Sequence, residues 1–451
     1  MALKTPGRSA LLAGLVLLGA CSSSEQFSSD GPGASVVEAP GPTTPTATPP
    51  SSEAPAMSQA VNEARPMNPL AVTLADGVLR VGDYDIDISD CPDDSSFEVV
   101  HVAVLDPVRT GTNASQAFVP GFESGLASAL ADLAVVVVID DLTDLDVNAL
   151  DLALYDMVVE FNVRPRIFPS AVVQAAVHGC TPLLPAQAIP PFWPNSNDWV
   201  LGPVTAHAAT YDDALLKLVV DSEITSLAAF VIADEKHDVG AGHQLAKNER
   251  DIATSLFELP ASESEPWAVL PPADEALVGV VEANPDVVLV EAYCRNTSER
   301  LRSAGYSGQL WLLYPECSVD LTGAEIGDWW DELMRVVTPG GLGNTDNEIE
   351  QDIAASLDVP DRFGISGNDP VGRIGWLNGW YVGALVTNAM EQDLSAPQRA
   401  LLLAGALNLD MEHPFRETRL TANPENRLPI NAMAVYRWAG DRWVAAGPPA
   451  A

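Results

Sequence analysis

The sequence predicts an α/β fold of parallel sheets with helices on both faces, arranged in two domains. Three observations carry this. Six short apolar runs, dense in β-branched residues, stop abruptly at Asp, Pro or Glu, as strands buried on both faces do. Helical stretches alternate with them, and strand–helix alternation is the pattern of a parallel sheet. The body, from about residue 70 onward, is about 380 residues long, a length that divides into two domains rather than one.

In chain order the runs are VVHVAVLDPV (99–108), LAVVVVIDDL (133–142), MVVEF (157–161), LAAFVIAD (227–234), DVVLVEAY (286–293) and QLWLLYPE (309–316). Each is read as a fully buried strand. The helical stretches are FESGLASALADL (122–133), SAVVQAAVHG (170–179), YDDALLKLVVD (211–221) and SERLRSAGYSG (298–308). Gly179 and Gly305 stand where a helix C-terminus favours a residue without a Cβ. In open α/β sheets, ligands bind outside the carboxyl ends of the strands. Those ends fall at Asp106-Pro107, Asp140-Asp141, Asn162 to Arg166, Asp234 to Gly242, Tyr293-Cys294 and Tyr314-Pro315-Glu316.

Ahead of the body lies a leader. Lys4 and Arg8 precede an apolar run from Ala10 to Ala20, shorter than the roughly 20 residues a helix needs to span a bilayer and ordered like a secretory signal. Its end, Leu18-Gly19-Ala20-Cys21, resembles the lipobox of bacterial lipoproteins. That resemblance implies cleavage before Cys21, acylation of its thiol and anchoring to a membrane outside the cytoplasm. From Ser22 to about Pro69 the chain is rich in Ser, Pro, Thr, Ala and Gly, with APGPTTPTATPPSSEAP at its centre. It is read as an extended stalk, because so little apolar surface cannot offset the entropy of ordering.

Hydrophobic residues make up 47% of the sequence, ample for a core. The net charge is −39, or about −41 once Lys4 and Arg8 leave with the leader. The acid is dispersed, and no basic patch suits nucleic acid. Five cysteines become four when Cys21 is set aside. Cys91, Cys180, Cys294 and Cys317 are even in number and, on the export argument, face an oxidising compartment, so two disulfides with three possible pairings are expected. No nucleophile elbow, phosphate loop, zinc helix or dinucleotide fingerprint occurs. His237 and His243 are too few for a metal site. The reading is of a protein that is not an enzyme and uses no cofactor or metal.

From about Val99 to Trp443 the order of pieces resembles the type I periplasmic binding proteins of ABC transporters, in particular the branched-chain amino acid binding family. VVHVAVLDPVRTG (99–111) is similar to the opening strand and ligand loop, and residues 155–188 to the next strand–helix–strand unit. LAAFVIADEKHDVGAGHQLA (227–246) and residues 285–316 are similar to the start of the second lobe. GWLNGWYVGALVTNAMEQ (375–392) resembles the late helix, and residues 414–444 the closing hairpin.

This resemblance implies two doubly wound parallel-sheet lobes joined by three crossovers, with a ligand cleft between them. It places lobe 1 at 70–215 and 319–405, and lobe 2 at 216–318 with a closing hairpin in 406–451. It implies a monomer that captures a small polar solute, such as an amino acid or related amide, and hands it to an ABC permease. Glu316 matches the carboxylate that pairs with a substrate ammonium, and Tyr293 and Tyr381 match cleft aromatics of lobes two and one. Asp106 stands in the opening ligand loop. The family's Ser and Thr hydroxyls are replaced by Asn162-Val163-Arg164 and Ala186-Gln187-Ala188, where Arg164 suits an anion and Gln187 a neutral ligand. The same alignment pairs Cys294 with Cys317 and Cys91 with Cys180. The missing hydroxyls and an insertion around 338–372 motivate an alternative, a non-transport lipoprotein that reuses the fold as a sensory or cell-envelope interaction module.

Overall fold

The computed structural model describes residues 70–446 apart from 93–98, 106–113, 132, 134, 143–150, 162–169, 187–196, 205–214, 216–217, 220–221, 233–251, 260–270, 291–293, 314–329, 331–332, 339–347, 358–369, 393–395, 415–418 and 430–432. They all belong to one compact unit, Ala60–Ala451.

Three short strands come first: β1 (Val72–Ala75), β2 (Val78–Val81) and β3 (Tyr84–Asp87) form an antiparallel meander. Asp76 and Gly77, both at positive φ, make the first turn, as an Asp-Gly hairpin turn requires. The lobe-1 sheet follows, from β4 (Val99–Leu105), β5 (Val136–Asp141), β6 (Met157–Glu160) and β7 (Leu183–Pro185). Its ladders are all parallel and its order is β5-β4-β6-β7. The lobe-2 sheet uses β8 (Ser226–Ile232), β9 (Ala253–Leu259), β10 (Val287–Val290), β11 (Gln309–Leu313) and β12 (Met334–Thr338), in the parallel order β9-β8-β10-β11-β12. Counted from its own first strand, each sheet has the order 2-1-3-4, the doubly wound pattern. A small ribbon, β13 (Leu409–Glu412) with β14 (Arg419–Ala422), stands apart. The hairpin β15 (Ala434–Trp438) and β16 (Trp443–Ala445) adds antiparallel to β12 and closes the lobe-2 sheet, with Trp438 edge-on to Trp443.

All six apolar runs contain strands, but burial differs from the expectation at β5. It is the edge of its sheet, its residues are half-buried or exposed, and Val136 is 56% exposed. An edge strand has no neighbour on one side to exclude water. Because β12 joins β11, the lobe-2 sheet also runs past residue 318, where the sequence reading drew its edge.

Seven helices accompany the strands: α1 (Ala114–Ala129), α2 (Ser170–His178), α3 (Asp274–Ala283), α4 (Cys294–Ser303), α5 (Glu348–Leu357), α6 (Pro370–Met390) and α7 (Gln398–Leu407) among the described residues. In 211–221, Leu215, Leu218 and Val219 are helical, and the rest of that expected helix lies outside the described residues. The first helix begins eight residues before the expected Phe122 and runs through Pro120. Pro-Gly reads as a breaker, yet packing against α6 holds the helix through it. Gly121 and Gly125 of α1 face Gly372 and Trp376 of α6, while Gly375 and Gly379 of α6 face Phe118 and Phe122 of α1. At each of these four glycines a Cβ would overlap a carbonyl oxygen of the other helix. The backbones touch, which only glycine permits.

Further braces converge on lobe 1. Cys91 and Cys180 form the disulfide that the resemblance implied. The left-handed residue after α2 is Cys180 itself, φ 51°, rather than the expected Gly179; at the end of α4, Gly305 does take positive φ, 96°. Beside the disulfide, buried Arg399 of α7 donates to the Gly179 carbonyl at 2.8 Å and lies 3.8 Å from Asp156, whose carboxylate accepts the His101 amide at 2.8 Å. Asn408 exchanges hydrogen bonds with both backbone groups of Leu70. Tyr84 and Arg427 both donate to Asp198, and the guanidinium lies over the Tyr84 ring. In lobe 2, Asp286 accepts from the Thr225 amide and hydroxyl and the Ser226 amide at 2.8–3.0 Å. Those bonds, the Thr225 amide first, hold its carboxyl below the ordinary carboxylate range.

Candidate functional site

In each sheet the chain steps outward from its first strand to its second, then crosses back to its third. The order therefore reverses between β4 and β6 in lobe 1 and between β8 and β10 in lobe 2. A doubly wound sheet opens a crevice at that point, outside the carboxyl ends.

Five of the six expected ligand residues follow strand ends closely. The first strand of lobe 1 ends at Leu105, one residue before Asp106; β6 ends four residues before Arg164; β7 ends two before Gln187. In lobe 2, β10 ends three before Tyr293 and β11 three before Glu316. All five side chains lie outside the described residues. Tyr381, the sixth, is described. It lies on α6 inside the hydrophobic core, 1% exposed, and burial pushes its phenol pKa up. It is packed in the core rather than lining an open surface.

The described residues build the wall behind the lobe-1 strand ends. The Phe161 amide donates to the Leu105 carbonyl, and the Phe161 ring stacks on Phe118 at 4.3 Å. The Ala186 amide donates to the Glu160 carbonyl. The Ala186 carbonyl accepts from the amide nitrogen of Asn378, a fully buried residue of α6. Glu160, at the very end of β6, is 1% exposed. The sequence reading passed over both polar residues. Their signal was visible, a carboxylate closing an apolar run and an amide inside an apolar helix, but what they touch was not.

At the lobe-2 end, α4 opens at Cys294, directly after the β10 exit. Its sulfur is in a disulfide. Cys91 and Cys180 are paired with each other, so its partner lies outside the described residues, as Cys317 does. The Cys91–Cys180 bridge sits at the opposite end of its sheet, just before β7. A groove of 380 Å³ between α1 and β5, lined by Glu123, Leu126, Leu130, Val135, Val137 and Ile139 among others, runs along the sheet edge and not at the crevice. No group of three or more His, Cys, Asp or Glu among the described residues could hold a metal ion. No described helix is long and apolar enough to cross a membrane.

Among the solved structures with this architecture are solute-binding proteins. An ABC transporter solute-binding protein from R. palustris, in complex with benzoate, matches 78% of this chain and 96% of its own at TM-score 0.56 and 17% identity. A possible leucine/isoleucine/valine-binding protein from Rhodopirellula baltica matches 79% and 98% at TM-score 0.54 and 13% identity. An ABC transporter substrate-binding protein from Aeropyrum pernix matches 77% and 95% at TM-score 0.55 and 12% identity. No family model matches the sequence, and no curated protein is similar to it. The chain has the type I periplasmic binding protein fold, as the order of its pieces implied.

Proposed function

We propose that the chain is a solute-binding protein held outside the cytoplasm by a lipid on Cys21, capturing an amino acid or related small polar solute for an ABC importer. The observation that carries this reading is the doubling of the switch point. Two sheets with one strand order present two crevices; Asp106, Arg164 and Tyr293 follow strand ends that flank them, and Gln187 and Glu316 follow the next strands out. In this reading Glu316 receives the ammonium of the solute, a charge-assisted pair suited to a closed cleft. Tyr293 covers its apolar part. Arg164, Gln187 and Asp106 complete the polar side from lobe 1, with Arg164 standing in for the family's hydroxyls. Tyr381 supports this wall from within the core. Cys294 bridges to Cys317 and stiffens the lobe-2 side.

A thermal-shift screen of the full chain against amino acids, short peptides, amides, carboxylates and sugars tests the reading. One class should raise the melting temperature by an amount that grows with the logarithm of its concentration over Kd. Glu316→Ala should remove the rise if that class is amino acids. A flat response from folded protein would favour the interaction module instead, which the missing hydroxyls at 162–164 and 186–188 motivate. For the anchor, Cys21→Ser should move the chain from the membrane fraction to the soluble one. Retention on the membrane would refute it.

A further inference from the structure

Among the described residues β5 is the outer strand of the lobe-1 sheet. The Leu142 amide, just past its end, donates to the Val104 carbonyl of β4 at 3.0 Å. Backbone groups turn to alternate sides along a strand. The N–H and C=O groups of Val137 and Ile139 therefore face away from β4, toward the open edge. The side chains of Val135, Val137 and Ile139 line the 380 Å³ groove, facing Leu126, Ala127 and Leu130 of and after α1. One set of residues thus offers main-chain hydrogen bonds with an apolar trough beside them, the two things that an added strand uses.

This edge carries none of the usual guards. Sheets protect an outer strand with charge, proline or a bulge. Residues 135–139 read VVVVI, and the register of β5 against β4 runs unbroken from Val136 to Asp141. Val136 is 56% exposed, and its register neighbour Val99 is also exposed. The equivalent outer strand of lobe 2, β9, interposes Thr254, Ser255 and Glu258.

We infer that β5 pairs antiparallel with β5 of a second copy across a twofold axis, joining two four-stranded lobe-1 sheets into one. The strand is its own complement in this arrangement, as a twofold interface requires. With Val138 on the axis, Val137 lies opposite the partner's Ile139, so residues with outward-facing backbone groups meet each other. Asp140 then lies opposite the partner's Val136, and Asp141 opposite the partner's Val135. A parallel pairing would instead set the acids of the two copies side by side, where like charges repel. The dimer departs from the monomer that the family resemblance implies, and it stands whether or not the chain binds a solute.

The test is sedimentation equilibrium on the full chain carrying Cys21→Ser, which keeps acyl chains out of the measurement. It should show a dimer at about 10 μM. Both copies are acidic, so the dimer should tighten severalfold from about 0.05 M to about 0.5 M NaCl. Val138→Lys sets two ammonium groups against each other on the axis and should leave a folded monomer. Cross-linking checks the register without disturbing the fold. In a non-hydrogen-bonded pair the opposed Cα atoms lie about 4.5 Å apart, within disulfide reach. Val138→Cys should therefore form a covalent dimer under mild oxidation. Val136→Cys is the more exposed position, but it lies about 14 Å from its counterpart and should stay uncoupled. Equal cross-linking at both positions would overturn the inference, as would a dimer that survives Val138→Lys or loosens with salt. A wild type that is monomeric at about 100 μM would also overturn it, and would leave the edge to an extended segment of another protein.

Discussion

Lobe 1 and lobe 2 share a strand order but are held together from different places in the chain. The lobe-2 sheet draws its parallel strands from 226–338 and needs only one later hairpin, 434–445, to close an edge. Its brace at Asp286 joins residues 60 or 61 apart. The lobe-1 sheet spans 99–185, yet its braces come from both sides of that range: Cys91 before it, and α6, Arg399 and Asn408 more than 180 residues after it. Lobe 2 is thus mostly closed by its own sequence neighbourhood. Lobe 1 is stapled from afar, and the wall behind its strand-end crevice is one of the things stapled.

This contrast can be broken experimentally at its strongest point first. Cys91 and Cys180 are 89 residues apart, and removing a bridge across such a loop costs about 4.6 kcal/mol in the chain-entropy account. Cys91→Ala/Cys180→Ala should lower the denaturant midpoint accordingly while leaving the Cys294 disulfide intact. A change under about 1 kcal/mol would show that lobe 1 does not depend on this staple. Next comes Gly379→Ala, whose methyl would overlap the Phe122 carbonyl of α1. Forcing two packed helices apart should cost about 3 kcal/mol. The smallest effect is expected from the matching change in lobe 2. Gly279→Ala in α3 would meet only the Phe257 ring, half-buried, at 3.3 Å. There the gain in helix propensity, up to about 1 kcal/mol, should offset the contact and leave the melting temperature within a degree or two. Equal costs at Gly379 and Gly279 would refute the contrast.

How much of this was legible in the sequence follows from what each residue must satisfy locally. Six of the parallel strands were readable because burial on both faces leaves little room for polar residues, so VVLV and QLWLL announce themselves, whereas β9 (ATSLFEL) and β12 (MRVVT), which mix polar residues in, were not read. The crevice was readable from the same runs, since the strand ends and the winding rule locate it. The meander β1–β3 was not read, although Asp76-Gly77 between alternating residues is a strong hairpin signal. The true start of α1 was hidden by Pro120-Gly121, which signals a break unless a partner helix is known. Asn378 could not be interpreted at all from sequence, because its meaning is a carbonyl 192 residues away. Long-range contacts decide such residues, and no local pattern encodes them.

The glycine contact between α1 and α6 also sets an order of events during synthesis. The first helix is complete at Ala129, but the surface it needs begins at Pro370. With about 240 residues still to be made at roughly 5–20 residues per second, Phe118, Phe122 and the bare glycine backbone wait for ~10–50 s. The parallel strands β8–β12 are all made in that interval, before the helix that covers α1. During the delay the nascent chain exposes an apolar face whose cover has not yet been made.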